Sequence, residues 1–143
     1  MTILVDINIF EDIFRQRAGW EASLGIVGLV ANGGVGGYVP VLTAAILYFF
    51  RRRSRGERAA RQAVRGMLRR FRIVPLDGAA VEAAYGSALP DFEDALQFGA
   101  ARATNVDAII TRNRKDFRQR HVPVFSPNAS EIRVSGVPPF RPG

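Results

Sequence analysis

An α/β sandwich around a mostly parallel sheet of about four or five strands is the fold this sequence predicts. Short β-branched runs alternate with longer amphipathic segments in the order β–α–α–β–α–α–β–α–α–β–loop–β. Strands separated by helices pair in parallel and require helices on both faces. At 143 residues, 48% hydrophobic and 23% charged, the chain has the length and composition of one globular domain. A domain of that size removes roughly two-thirds of its unfolded surface from water, enough for a real core. The domain is expected over residues 1–134, with 135–143 (SGVPPFRPG) as a flexible tail.

Thr2–Val5 is an apolar, β-branched run that ends at Asp6 and reads as a buried strand. Ile9, Phe10, Ile13 and Phe14 then recur at helical spacing. A second helix is expected from Trp20 to Ala31, with Leu24, Val27, Gly28 and Ala31 on one face, and Asn32-Gly33-Gly34 stops it. The glycines from Gly33 to Gly37 form no GxGxxG and precede no Gly-Lys-Ser/Thr, so they read as a helix cap and turn. Gly37–Leu42 is a strand, and Thr43 caps a helix to about Arg53. Ala60, Ala63, Val64, Met67, Leu68 and Phe71 form the apolar stripe of the next helix, whose other face is arginine. Arg72–Pro75 is a strand, Asp77 or Gly78 opens a helix over 79–87, and Leu89-Pro90 breaks it. Asp91 N-caps a helix through Phe92, Ala95, Leu96 and Gly99 to about Ala103. Val106–Thr111 and Val122–Phe125 complete the strands, and Trp20, Tyr48 and Phe49 are expected in the core.

The net charge of +7 is unevenly placed. Arg51–Arg72 holds ten arginines against one acid, Glu57, a net of +9 that leaves −2 for the rest of the chain. A second basic cluster, Arg112, Arg114, Lys115, Arg118 and Arg120, surrounds Asp116. Localised charge of this kind attracts polyanions, and a solvated amphipathic face carries the same pattern. Nineteen of the 20 basic residues are Arg, a skew that suits phosphate binding and equally follows from a GC-rich genome. With no cysteine there is no disulfide framework or thiolate metal site, and one histidine, His121, excludes a His-rich metal cluster. His121 reads as a surface residue, and without G-x-S-x-G a Ser–His–Asp scheme is disfavoured. The longest apolar run, Tyr38–Phe50, falls short of the ~20 residues of a membrane span. MTILVDINIF has no basic n-region, so no targeting signal is read and a cytoplasmic location is expected.

In a parallel sheet the ligand site lies at the carboxyl ends of the strands. Asp6 ends the first strand, with Asn8 two residues on. Asp91, Glu93 and Asp94 open a late helix, and Asp116 follows the strand AIIT. Several carboxylates at such ends suit a hard cation with oxygen ligands. Acids in a first helical turn also complement the helix dipole with no further role. Glu93 reads in that second way, whereas Asp94, with apolar neighbours on one face, reads as projecting inward.

The segments LVDINIFEDIF, LPDFEDALQFGAA and AIITRNRKDF, the first two about 85 residues apart, together resemble PIN-domain proteins, most nearly the VapC-like ribonuclease toxins of toxin–antitoxin pairs. The resemblance spans roughly residues 2–132. It implies a three-layer PIN-like sandwich and a Mg²⁺- or Mn²⁺-dependent endoribonuclease. By motif position Asp6, Asp94 and Asp116 are the implied catalytic carboxylates, with Asp91 as a further metal ligand one turn before Asp94. Asn8, Thr111 and Asn113 are supporting polar groups, and Arg61, Arg65, Arg69, Arg112 and Arg114 are candidate RNA contacts. RNA, a cognate antitoxin and a second copy in a homodimer are the expected partners. One departure stands out: the family commonly carries a Glu on the helix after the second strand, and here LTAAILYFF has Ile46 and Tyr48 instead. That absence motivates an alternative, a catalytically weak module binding RNA or protein. On a third reading the arginine helix packs against an acidic antitoxin.

Overall fold

The computed structural model describes residues 1–89, 91–114 and 122–128. Five strands, β1 (Thr2–Val5), β2 (Gly36–Pro40), β3 (Phe71–Val74), β4 (Ala108–Ile110) and β5 (Val124–Phe125), form one sheet in the order β3-β2-β1-β4-β5. Every pairing is parallel, with Ile3 opposite Gly37 on one side of β1 and Ala108 on the other. Among the described residues six helices flank the sheet: α1 (Ile7–Arg15), α2 (Trp20–Ala31), α3 (Val41–Arg55), α4 (Glu57–Arg70), α5 (Gly78–Tyr85) and α6 (Phe92–Thr104).

The alternation of side chains along each strand divides the core into two faces. Ile3 and Val5 of β1 and Ala108 and Ile110 of β4 point to one, where Phe10, Ile26, Leu47 and Met67 bring in α1 to α4. Leu4 and Ile109 point to the other, against Phe98 and Ala101 of α6. α5 joins that layer through Ala84, which packs with Ala95 and Leu96. The result is the expected three-layer sandwich, with β1 and β4 buried on both faces. No helix among the described residues is long and apolar enough to cross a membrane.

Local differences from the sequence reading have physical causes. β2 ends at Pro40, whose extended backbone (φ −64°, ψ 151°) is the N-cap of α3, so the helix begins at Val41, ahead of Thr43. α2 buries Ser23, Ile26, Leu29 and Val30, and Leu24 is exposed. That helix is apolar nearly all round, so periodicity does not single out a face; the polar contact of Ser23 does. Leu68 and Phe49 are also exposed, although both were expected inside. Phe49 is instead covered by the Arg53 guanidinium, 5.6 Å from its ring centre. The expected tail at 135–143 and His121 lie outside the described residues.

Gly37 shows how closely β2 is held. A Cβ there would stand 2.6 Å from Val30 Cγ1 and 2.7 Å from Phe71 Cδ1, both on buried side chains. Gly37→Ala is therefore expected to cost about 2 kcal/mol through overpacking. At Gly25 on α2 nothing lies within 4 Å, so Gly25→Ala should match or exceed wild-type stability. Thermal melts of the two proteins check the contrast, and equal midpoints would show that β2 has room to move.

Candidate active site

The direction of strand progression reverses between β1 and β4, and a crevice opens beyond their carboxyl ends. Asp6 stands there as the first residue after β1, its backbone N–H donating to the Ile110 carbonyl of β4 at 3.0 Å. Its side chain is 1% exposed. The carboxylate accepts hydrogen bonds from Thr111 Oγ1 at 2.6 Å and from Gln97 Nε2 of α6. Burial pushes the Asp6 carboxyl above the usual carboxylate range. The donors Thr111 and Gln97, with the Ile7 and Asn8 amides at the start of α1, offset only part of that rise.

Beside Asp6 is a cavity of about 580 Å³ whose lining comes from three segments. The β1–α1 region supplies Asp6, Asn8, Glu11 and Arg17; the start of α6 supplies Asp91, Glu93 and Asp94; the turn after β4 supplies Arg112 and Asn113. Among the described residues, five carboxylates thus face two guanidinium groups. Asp91 both caps α6, accepting from the Asp94 amide at 3.0 Å, and lines the cavity. Asp94 is buried, one turn into α6 as its apolar neighbours suggested. Glu93, read from sequence as a helix-dipole residue, also faces the cavity. Partial burial raises its pKa, and the negative charges of Asp6, Asp91 and Glu11 raise it further. The helix starts so close to the β1 end that its first turn serves two purposes.

Sequence reasoning missed a third buried acid beside Asp6 and Asp94. Asp12 on α1 is fully buried and accepts from Ser23 Oγ at 2.9 Å and from Arg112 Nη1 at 2.8 Å. Arg17 Nη1 stands 3.9 Å from the same oxygen as Arg112, and Arg17 also pairs with Glu11 at 3.2 Å. Asp12 therefore ties α1 to α2 and to the turn after β4, and sets the Arg112 guanidinium at the cavity wall. Gln97 was missed as well. Its one signal is a polar side chain within the apolar run ALQFGAA, three residues after Asp94.

Of the other expected site residues, Asn8 and Asn113 line the cavity, and Thr111 is buried beneath it, accepting from the Asn113 amide at 3.1 Å. Arg114 is exposed and outside the lining. Arg61, Arg65 and Arg69 are exposed on α4, with Arg61 paired to Glu57 at 3.3 Å, and none of them reaches the cavity. Asp116 lies outside the described residues. Two buried acceptors beside the carboxylates, Asn8 Oδ1 and Gln97 Oε1, have no hydrogen-bond partner among the described residues.

The family model for the PIN domain matches residues 2–115. No curated protein sequence matches the chain. Among solved structures, a toxin–antitoxin complex from Klebsiella pneumoniae is similar over 87% of this chain and 97% of that one, with 20% identity and a TM-score of 0.65. FitAcB from Neisseria gonorrhoeae is similar over 87% and 97%, at 19% identity and a TM-score of 0.64. A sarcin–ricin loop cleaving VapC toxin from Mycobacterium tuberculosis is similar over 75% and 86%, at 18% identity and a TM-score of 0.54. At these identities the likeness is one of fold.

Proposed function

The chain belongs to the PIN-domain family, and on that premise we propose that it is a divalent-metal-dependent endoribonuclease, the toxin of a toxin–antitoxin pair. The supporting observation is the carboxylate-lined cavity at the reversal point of the sheet, with Asp6 buried at its base.

The donor set fits a hard cation. All candidate ligands are oxygens, Asn8 Oδ1 is an orphaned acceptor beside Asp6, and Glu93 is raised by burial and then by the neighbouring negative charges of Asp6, Asp91 and Glu11. Among the described residues no three acidic side chains converge as a preformed cluster. Mg²⁺ tolerates this, because it is held by one or two carboxylates and completes its shell with water and substrate phosphate. Asp6, Asp94 and Asp91 are the proposed ligands, with Asp116 from the same motif set. A bound Mg²⁺ or Mn²⁺ supplies Lewis-acid stabilisation and a more acidic water for phosphodiester hydrolysis. The chain's own groups do the rest: Thr111 and Gln97 hold the Asp6 carboxylate in one orientation, and Arg112, fixed by Asp12, offers a cation to substrate phosphate.

Of the relatives named above, one is a toxin–antitoxin complex and another a sarcin–ricin loop cleaving toxin. For this chain we carry over an RNA substrate, a cognate antitoxin and a homodimer as proposals. Purified protein is expected to cleave RNA with Mg²⁺ or Mn²⁺, to stop with EDTA, and to resume when metal is restored. The second reading, a catalytically weak binding module, is favoured by the absence of any carboxylate on α3. RNA bound but never cleaved by the metal-supplied protein establishes that reading instead.

A further inference from the structure

A second cavity, of about 650 Å³, lies between α1 and the last two turns of α3, and shares Glu11 with the acidic one. Its walls hold four arginines, Arg15, Arg51, Arg53 and Arg55, and two aromatic rings, Phe14 and Phe50. Consecutive residues on the two helices interlock: Arg15 lies 4.9 Å from the centre of the Phe50 ring, and Arg51 4.5 Å from that of Phe14. Such cation–π pairs fix the guanidinium planes without neutralising them. None of the four arginines has an ion-pair partner among the described residues, and Arg51 Nε is buried with no hydrogen bond. The helix dipole does not account for this concentration, since the carboxyl end of a helix carries only about half an elementary charge.

We propose that this cavity is a phosphate-binding subsite for single-stranded RNA, holding the strand where it leaves the acidic cavity across Glu11. The inference rests on the ribonuclease reading for its substrate. A strand's phosphodiesters repeat one charge per nucleotide, so a chain with one phosphate among the carboxylates has neighbouring phosphates to neutralise nearby. Guanidinium forks held by ring stacking are suited to them, because their planes are set before the ligand arrives. The acidic cavity and the arginine cavity together divide the work: one accommodates the cation and the bond to be cut, the other the flanking backbone. The arginines on the outer face of α4 are not required for this path.

The test is fluorescence anisotropy of a short labelled oligouridylate with EDTA present, across a salt series. R53Q/R55Q removes two exposed guanidiniums and leaves the Arg51–Phe14 and Arg15–Phe50 pairs in place. R52Q/R102Q removes the same charge from positions that line neither cavity. R53Q/R55Q is expected to bind roughly tenfold more weakly at moderate salt, with a salt slope shallower by about 1.4, while R52Q/R102Q stays near wild type. Equal losses in the two variants, unchanged binding in R53Q/R55Q, or no RNA binding by the wild type overturns the subsite. Loss of oligoglutamate binding in R53Q/R55Q with RNA binding intact also overturns it, in favour of an acidic protein partner. Cleavage with Mg²⁺ is scored separately. Wild type that binds the oligonucleotide without cutting it removes the nuclease reading and leaves the subsite. Wild type that cuts while R53Q/R55Q binds normally does the reverse.

Discussion

Asp6→Asn is expected to abolish cleavage and to raise the melting temperature. RNA hydrolysis with Mg²⁺ or Mn²⁺ should fall by more than about 100-fold, beyond what loss of a neighbouring hydrogen-bonding partner costs a metal site. The stabilisation follows from burial. The Asp6 carboxyl is held above its ordinary pKa, so the folded protein favours its neutral form and charging it at neutral pH opposes folding. An asparagine removes that charge and keeps the shape. Its carbonyl accepts from Thr111, and its amide donates to Gln97 Oε1, which has no partner among the described residues, once the Gln97 amide turns over. The sign can be checked against pH. A raised carboxyl contributes stability that is fully present below the unfolded pKa and is lost as pH rises through the folded one. The advantage of Asp6→Asn is therefore absent in acid, grows above the ordinary carboxylate range, and then levels off. Thermal melts from acid to neutral pH, beside a cleavage assay, measure both effects. A variant that loses activity and is also less stable at neutral pH would contradict this account of the buried charge.

Asp12→Ala should be the most destabilising single change among the charged residues discussed. It strands the Arg112 guanidinium and the Ser23 hydroxyl together. Breaking a buried ion pair from one side costs about 3–5 kcal/mol, and the cost here lies toward the lower end because Arg112 is 37% exposed and regains water. About 3 kcal/mol corresponds to a melting temperature lower by roughly 6–10 °C for a domain of this size. Arg112→Gln is costly for the converse reason, leaving a fully buried carboxylate with only Ser23 and a longer approach from Arg17. The double variant should therefore cost less than the two single changes added together. Strict additivity in denaturant melts would show that the pair does not act as a unit.

The fold was legible where local chemistry and position agree. β1 announced itself as ILV closed by an acid, and α6 as an Asp91 cap before an apolar run. The carboxylates at these two ends were legible for the same reason, since strand ends and first helical turns are readable from neighbours. Asp12 was not. It lies in the middle of α1 among residues of helical spacing, and its partners are Ser23 and Arg112, the latter 100 residues away. Gln97 was hidden similarly, for its partner Asp6 is 91 residues distant. The wrong face assigned to α2 has the same origin, because the turn of that helix is decided by Ser23 reaching Asp12. Sequence spacing reports what a segment buries, and it is silent on which distant group it meets.

The position of β1 in the sheet has a consequence for the order of synthesis. β1, β2 and β3 are neighbours in the sheet and emerge in that order, so they can pair while the chain is still being made. β4 takes the opposite edge of β1 and is made long afterwards, 105 residues separating Asp6 from Thr111. Until then Asp6 has no Thr111, and before α6 it has neither Gln97 nor the acids at the cavity's other wall. A growing chain thus lacks the carboxylates of the far wall until α6 is made, and the Thr111 hydroxyl that holds Asp6 until β4 follows. The topology builds a delay between the start of translation and the moment at which the carboxylate-lined cavity is complete.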